Sequence, residues 1–216
     1  MHQRWLAYLS IGILSGVILL LFALRLQPVW NPNAATATTD VPQVQEPSIS
    51  FIDPTLGPAT AKVTIVEYAD FECGPCADAA AASETVQAAF PNDVRLVWKY
   101  LPNDSLHPNA TADAIAAQCA ERQGKFWPYA DELFKRQGSL TPDQLPQIAQ
   151  DLGLNTASFD ACNTSQDTAA IITKDINEST GLKITATPTI FVNEDRYVGA
   201  LSTDELTSYV NAILHP

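Results

Sequence analysis

Four residues constrain this chain more than any other stretch: Cys73-Gly74-Pro75-Cys76, placed directly between an apolar run and an alanine-rich one. The preceding run, Lys62 to Ala69 (KVTIVEYA), is apolar on both alternating faces, the pattern of a strand buried between layers of a parallel or mixed sheet. The following run, to about Phe90, favours helix and stops at Pro91-Asn92. A C-x-x-C at a strand-to-helix junction puts the first sulfur at a helix N-terminus, where free N–H groups and the macrodipole favour its thiolate. The second sulfur lies one turn in and is shielded. Pro75 is pre-set for a first helical turn, and Gly74 leaves room for another chain to approach. Cys73 and Cys76 are thus candidates for a reversible dithiol–disulfide pair. The competing reading is half of a zinc site, which needs four Cys or His ligands. The supply is poor: Cys119 and Cys162 form no second C-x-x-C, and the histidines are His2, His107 and His215. The expectation is no cofactor and no metal.

Val94 to Tyr100 (VRLVWKY) reads as the next strand, so that strand, helix and strand make a βαβ unit with a right-handed crossover. Between Pro108 and Gly181 the pattern is helical only: Asn109 to Gln123, Phe126 to Gln137, a helix opened by Thr141-Pro142, and one or two more after Asn155-Thr156. Phe126, Trp127, Tyr129 and Phe134 follow helical spacing, as core residues do. Thr189 to Asn193 and Arg196 to Val198 read as strands around a turn, and Ser202 to Glu205 opens a last amphipathic helix.

Trp5 to Leu24 carries no charge and is bracketed by Arg4 and Arg25. As a helix it spans about 30 Å, the hydrocarbon thickness of a bilayer. Residues 1–26 are therefore expected to be a transmembrane anchor. The alternative is a cleaved signal peptide, with Ala35-Thr36-Ala37 far beyond the apolar run for a cleavage site. Gln27 to Pro58 is rich in Pro, Ala and Thr and reads as an extended spacer, with the linker proper at 27–48. The formal net charge is -12 with no basic cluster after Arg25, so neither nucleic acid nor an anionic membrane surface is expected as a ligand.

VTIVEYADFECGPC followed by a helix, then helices only, then ATPTIFVN near the end, resembles the DsbA-like branch of the thioredoxin superfamily over about Ile49 to Pro216. The resemblance implies an α/β thioredoxin-like domain at 49–216 with an all-helical insertion at about 104–183. It also implies roles. Cys73 would be the attacked sulfur and Cys76 the buried one. Glu67, six residues earlier, would be a buried acid that relays protons to Cys76, and Lys99 would be that acid's partner. Thr187-Pro188 would be a cis bond packed on the C-x-x-C, with the Thr187 backbone free to pair with a substrate chain. Gly74 and Pro75 would border that substrate site. Some relatives carry an extra bridge in the insertion. Cys119 and Cys162, the partners left once the local pair is set aside, are expected to form one, closing a loop worth about 4 kcal/mol in the chain-entropy model. Two free buried thiols are the alternative.

The expected activity is thiol–disulfide exchange with cysteine-containing protein substrates in an oxidising, extracytoplasmic compartment. A quinone-linked membrane oxidase is the expected redox partner. The Gly-Pro dipeptide matches thioredoxin rather than the best-known oxidant of the branch, so a reductase or isomerase is the first alternative and a non-catalytic peptide-binding module the second. Asp70, Glu72 and Asp78 surround the pair, and their charges are expected to oppose the Cys73 thiolate. A lone His107 reads as capping or packing.

Overall fold

A computed structural model describes residues 46–216. The expected membrane helix and the spacer up to residue 45 lie outside the described residues. Among the described residues, no helix is long and apolar enough to cross a membrane.

A five-stranded sheet organises the fold, in the order β1-β3-β2-β4-β5. Strand β2 (Val63–Ala69) runs parallel to β3 (Val94–Tyr100), which the connection through helix α1 (Gly74–Ala89) requires. Strand β4 (Thr189–Val192) pairs antiparallel with β2, and β5 (Asp195–Val198) antiparallel with β4. The edge strand β1 (Thr55–Leu56) falls inside the stretch expected to be spacer. The proline-rich composition hid it, because two residues give no periodicity to read. The spacer reading is therefore corrected: Asp53 and Pro54 are buried and belong to the fold.

Between β3 and β4 the chain is helical: α2 (Ala110–Glu121), α3 (Phe126–Lys135), a 3-10 turn (Pro142–Gln144), α4 (Leu145–Asp151), α5 (Thr156–Asn163) and α6 (Gln166–Gly181). Helix α7 (Thr203–Leu214) closes the chain behind a capping box of Ser202 and Glu205. Side chains on a strand alternate between faces. Val63 and Ile65 of β2, with Leu96 of β3, pack under Ala79, Ala82 and Val86 of α1 and Leu206 and Val210 of α7. Val66, Tyr68 and Val97 point to the opposite face, where Leu182 and Ile184 cover them.

The helical insertion shares its core with the end of the sheet that carries the cysteines. Phe71 stacks on Trp98 at 4.9 Å and meets Phe134 at 5.2 Å and Phe126 at 6.2 Å. This aromatic group continues through Tyr129, Ile148 and Phe159 to Cys119 and Cys162. The latter two are joined as a disulfide, linking α2 to α5.

Candidate active site

Cys73 is the N-cap of α1, with Pro75 in the first turn and no side chain capping the free N–H groups. Those N–H groups and the positive end of the helix dipole thus face the sulfur rather than a capping oxygen. Cys73 keeps 7% of its surface exposed and Cys76 none, and both are free thiols. Gly74 and Pro75 between them are exposed.

The Thr187–Pro188 peptide bond is cis. As a thiol, Cys73 donates from Sγ to the Thr187 carbonyl at 3.6 Å. As a thiolate it is stabilised first by a hydrogen bond from the Cys76 thiol and then by the Thr187 side chain. These outweigh burial and the charge of Asp70, and its pKa falls to about 6. Of the flanking acids, Asp70 opposes ionisation as expected, and the hydrogen bonds outweigh it. Cys76 is pushed strongly upward, first by burial and then by its hydrogen bond to Cys73. The two sulfurs are thus chemically unequal, one ready to ionise and one held protonated.

Glu67 is fully buried on β2, and neither carboxyl oxygen has a hydrogen-bond partner. Burial pushes its pKa up to about 8; Ser83 on α1 opposes the shift from outside good hydrogen-bond geometry, and the charges of Glu84 and Cys73 add to it. In turn the Glu67 charge raises the pKa of Cys76.

Lys99 is not the partner of Glu67. In the β2–β3 register Glu67 stands beside Trp98, whereas Lys99 stands beside Tyr68 and shares its face. There the Lys99 Nζ is buried with Asp53 at 3.0 Å, Glu178 at 3.2 Å and Asp175 at 3.3 Å. Tyr68 donates its hydroxyl to Glu178 at 2.8 Å, and Lys174 reaches Asp53 and Asp175 from the rim. This polar group ties β3 to α6 and to the segment before β1.

Three contributors to the site gave no motif in the sequence. Asp70 is buried and accepts from the Glu72 and Asn103 backbone N–H groups, both at 2.9 Å. His107 meets the same carboxylate through Nδ1 at 2.8 Å. Gln137, just past α3, donates from Nε2 to the carbonyls of Phe71 at 2.7 Å and Cys73 at 3.0 Å. Asp70 and His107 are visible in the sequence only as a flanking charge and a packing histidine; their pairing, and the reach of Gln137 to the redox turn, appear only in the tertiary structure.

A family model described as thioredoxin matches residues 52–212, well over half of the chain. The chain belongs to the thioredoxin family. Its fold is that of the DsbA-like members. A thioredoxin-like oxidoreductase from Silicibacter pomeroyi DSS-3 superposes with a TM-score of 0.69 at 26% identity, over 77% of this chain and 95% of that one. Oxidised BdbD from Bacillus subtilis gives 0.66 at 22% identity, over 76% and 94%. The thiol-disulfide exchange protein alpha-DsbA2 from Wolbachia pipientis gives 0.67 at 18%, over 76% and 88%. In sequence, this thioredoxin-family chain is 36% identical over 176 residues to a protein named Na(+)/H(+) antiporter NhaA from Herminiimonas arsenicoxydans, covering 81% of this chain. It is 34% identical over 191 residues to NhaA 1 from Salinispora arenicola, covering 88%. The chain spans only 28% and 29% of the length of these two curated relatives.

Proposed function

We propose that this domain is a thiol–disulfide oxidoreductase that accepts electrons from cysteine-containing proteins outside the cytoplasm. The observation that carries the reading is the inequality of the two sulfurs. Cys73 sits at a helix N-terminus with its pKa lowered to about 6, and Cys76 lies beneath it, fully covered and held protonated. A thiolate that is easily formed leaves easily, which favours the oxidant direction over the reductant one.

In the forward exchange a substrate thiolate attacks Sγ of Cys73 in the Cys73–Cys76 disulfide. The S–S bond breaks and the electron pair passes to Cys76, which takes a proton from neutral Glu67. A second substrate thiolate then attacks the substrate sulfur of the mixed disulfide, and Cys73 departs as a thiolate. The substrate has lost two electrons and gained a disulfide; Cys73 and Cys76 have been reduced. Thr187, with Gly74 and Pro75 beside it, offers backbone for an extended substrate segment. Pro188 holds that backbone against the sulfur.

The reduced pair must pass its electrons on, and a quinone-linked membrane oxidase is the acceptor we propose. Residues 5–24 as a bilayer anchor, followed by a linker at 27–48, would keep that acceptor at high effective concentration for the 49–216 domain. The occurrence of a similar segment within larger proteins named as antiporters supports a station at a membrane. The test is Cys73→Ser: oxidative refolding of a reduced substrate and insulin reduction should both be lost. Retention of both would overturn the proposal in favour of a module that only binds.

A further inference from the structure

The loop between β3 and α2 is bound tightly to the redox turn. Leu101 N–H donates to the Ala69 carbonyl at 2.9 Å, and Asn103 N–H to Asp70 Oδ2. His107 Nδ1 meets the same Oδ2, and Asn109 N–H donates to Glu72 Oε2 at 3.0 Å. Asp70 is the hub. Its main-chain carbonyl accepts from Cys73 N–H at 3.1 Å, so its buried carboxylate lies one turn before the sulfur. A buried anion there works against the Cys73 thiolate.

The surrounding charges are almost all negative. Glu72 lies on the turn, Asp104 on the loop, where it holds Thr111, and Asp113 in the first turn of α2, where Glu72 and Asp70 add to a burial-driven rise of its pKa to about 7. Among the described residues, His107 is the only basic side chain in salt-bridge range of Asp70. Its ring is 26% exposed, so it can exchange protons with water while Nδ1 stays fixed.

We infer that His107, clamped by Asp70, is a positioning residue for the redox pair, supplying the positive charge that offsets Asp70 and so setting how readily Cys73 ionises. The inference rests on the redox reading of Cys73 above. The hydrogen bond from His107 to Asp70 raises the proton affinity of His107 most; burial opposes it, and the charges of Asp70, Cys73 and Glu72 add to the rise. Coupling between two sites is reciprocal, so a thiolate that draws a proton to His107 is itself favoured by that proton. The His107 charge fades as alkali removes the ring proton, leaving Asp70 uncompensated.

The test is the ionisation of Cys73 in the reduced protein, read by thiolate absorbance and alkylation rate against pH, with circular dichroism to verify folding. His107→Gln should raise the Cys73 pKa by about one unit. It should also move the equilibrium with glutathione about tenfold towards the protein disulfide, about 30 mV more reducing. His107→Lys keeps a cation and should hold the Cys73 pKa low. The double variant His107→Gln with Asp70→Asn removes both charges and should bring it back towards the starting value. A His107→Gln titration equal to that of the unaltered protein overturns the proposal, as does a Lys variant that fails to hold the pKa down or a double variant worse than the single one. Failure of the unaltered protein to exchange with glutathione would instead overturn the oxidoreductase reading, while the titrations would still decide the role of His107.

Discussion

Glu67 and Lys99 stand on adjacent paired strands and face opposite sides of the sheet. One is a carboxyl without a hydrogen bond behind the redox pair; the other is a cation surrounded by three carboxylates. Their separation divides the polar interior into two parts with different work.

Glu67 makes folding depend on pH. Its folded pKa of about 8 lies above the ordinary 4.5, so the folded state holds the proton more tightly than the unfolded chain. The stability it confers is complete below about 4.5 and is lost as pH rises through about 8. Glu67→Gln should remove this slope and stabilise the domain at pH 8 by something on the order of 3 kcal/mol. Denaturant titrations at several pH values check this. If Glu67 delivers the proton to Cys76, the same variant should also slow formation of the mixed disulfide at least tenfold.

Lys99→Met should behave differently. It leaves Asp53, Asp175 and Glu178 facing one another with only the partly exposed Lys174 nearby, and should cost about 3–5 kcal/mol. The pH profile of Cys73 alkylation in the folded protein should not move, because the lysine faces away from the sulfur.

The Cys119–Cys162 bridge spans a sequence separation of 43. Replacing both residues with Ala should lower stability by about 4 kcal/mol, less whatever strain the bridge carries. Below the melting transition, the rate of insulin reduction should stay unchanged. A change in the redox potential of Cys73–Cys76 would mean that the bridge does more than brace α2 against α5.

Gln137→Ala removes one hydrogen bond from each of two carbonyls of the redox turn. The expected loss is about 1–3 kcal/mol of stability, together with faster hydrogen exchange confined to residues around Phe71 and Cys73. Mass-resolved exchange reads both.

The sequence disclosed what repeats or alternates. Strands β2 and β3 are legible because the apolar runs VTIVEYA and VRLVWKY stand at βαβ spacing, and α7 is legible because Ser202 and Glu205 announce its start. Strand β1 escaped, because Thr55 and Leu56 gain their role only from Val97 and Leu96. In the site, the C-x-x-C is local and could be read directly. The partners of Lys99 could not. One residue of register decides which face a strand side chain takes, and no motif marked Asp53, Asp175 or Glu178 as its neighbours. Likewise, the charge count around Cys73 favoured acid, while the hydrogen bonds from Cys76 and Thr187 that outweigh it arise only when the chain folds.

The leading segment is stitched to the sheet by Ser48, whose N–H donates to Glu178 at 2.6 Å, and by Asp53 on Lys99. Both stitches lie across the sheet from Glu67. Through Glu178 and Lys99, residues 48–53 are fastened to α6 and β3. The face of the sheet opposite Glu67 is thus where the start of the described chain is pinned.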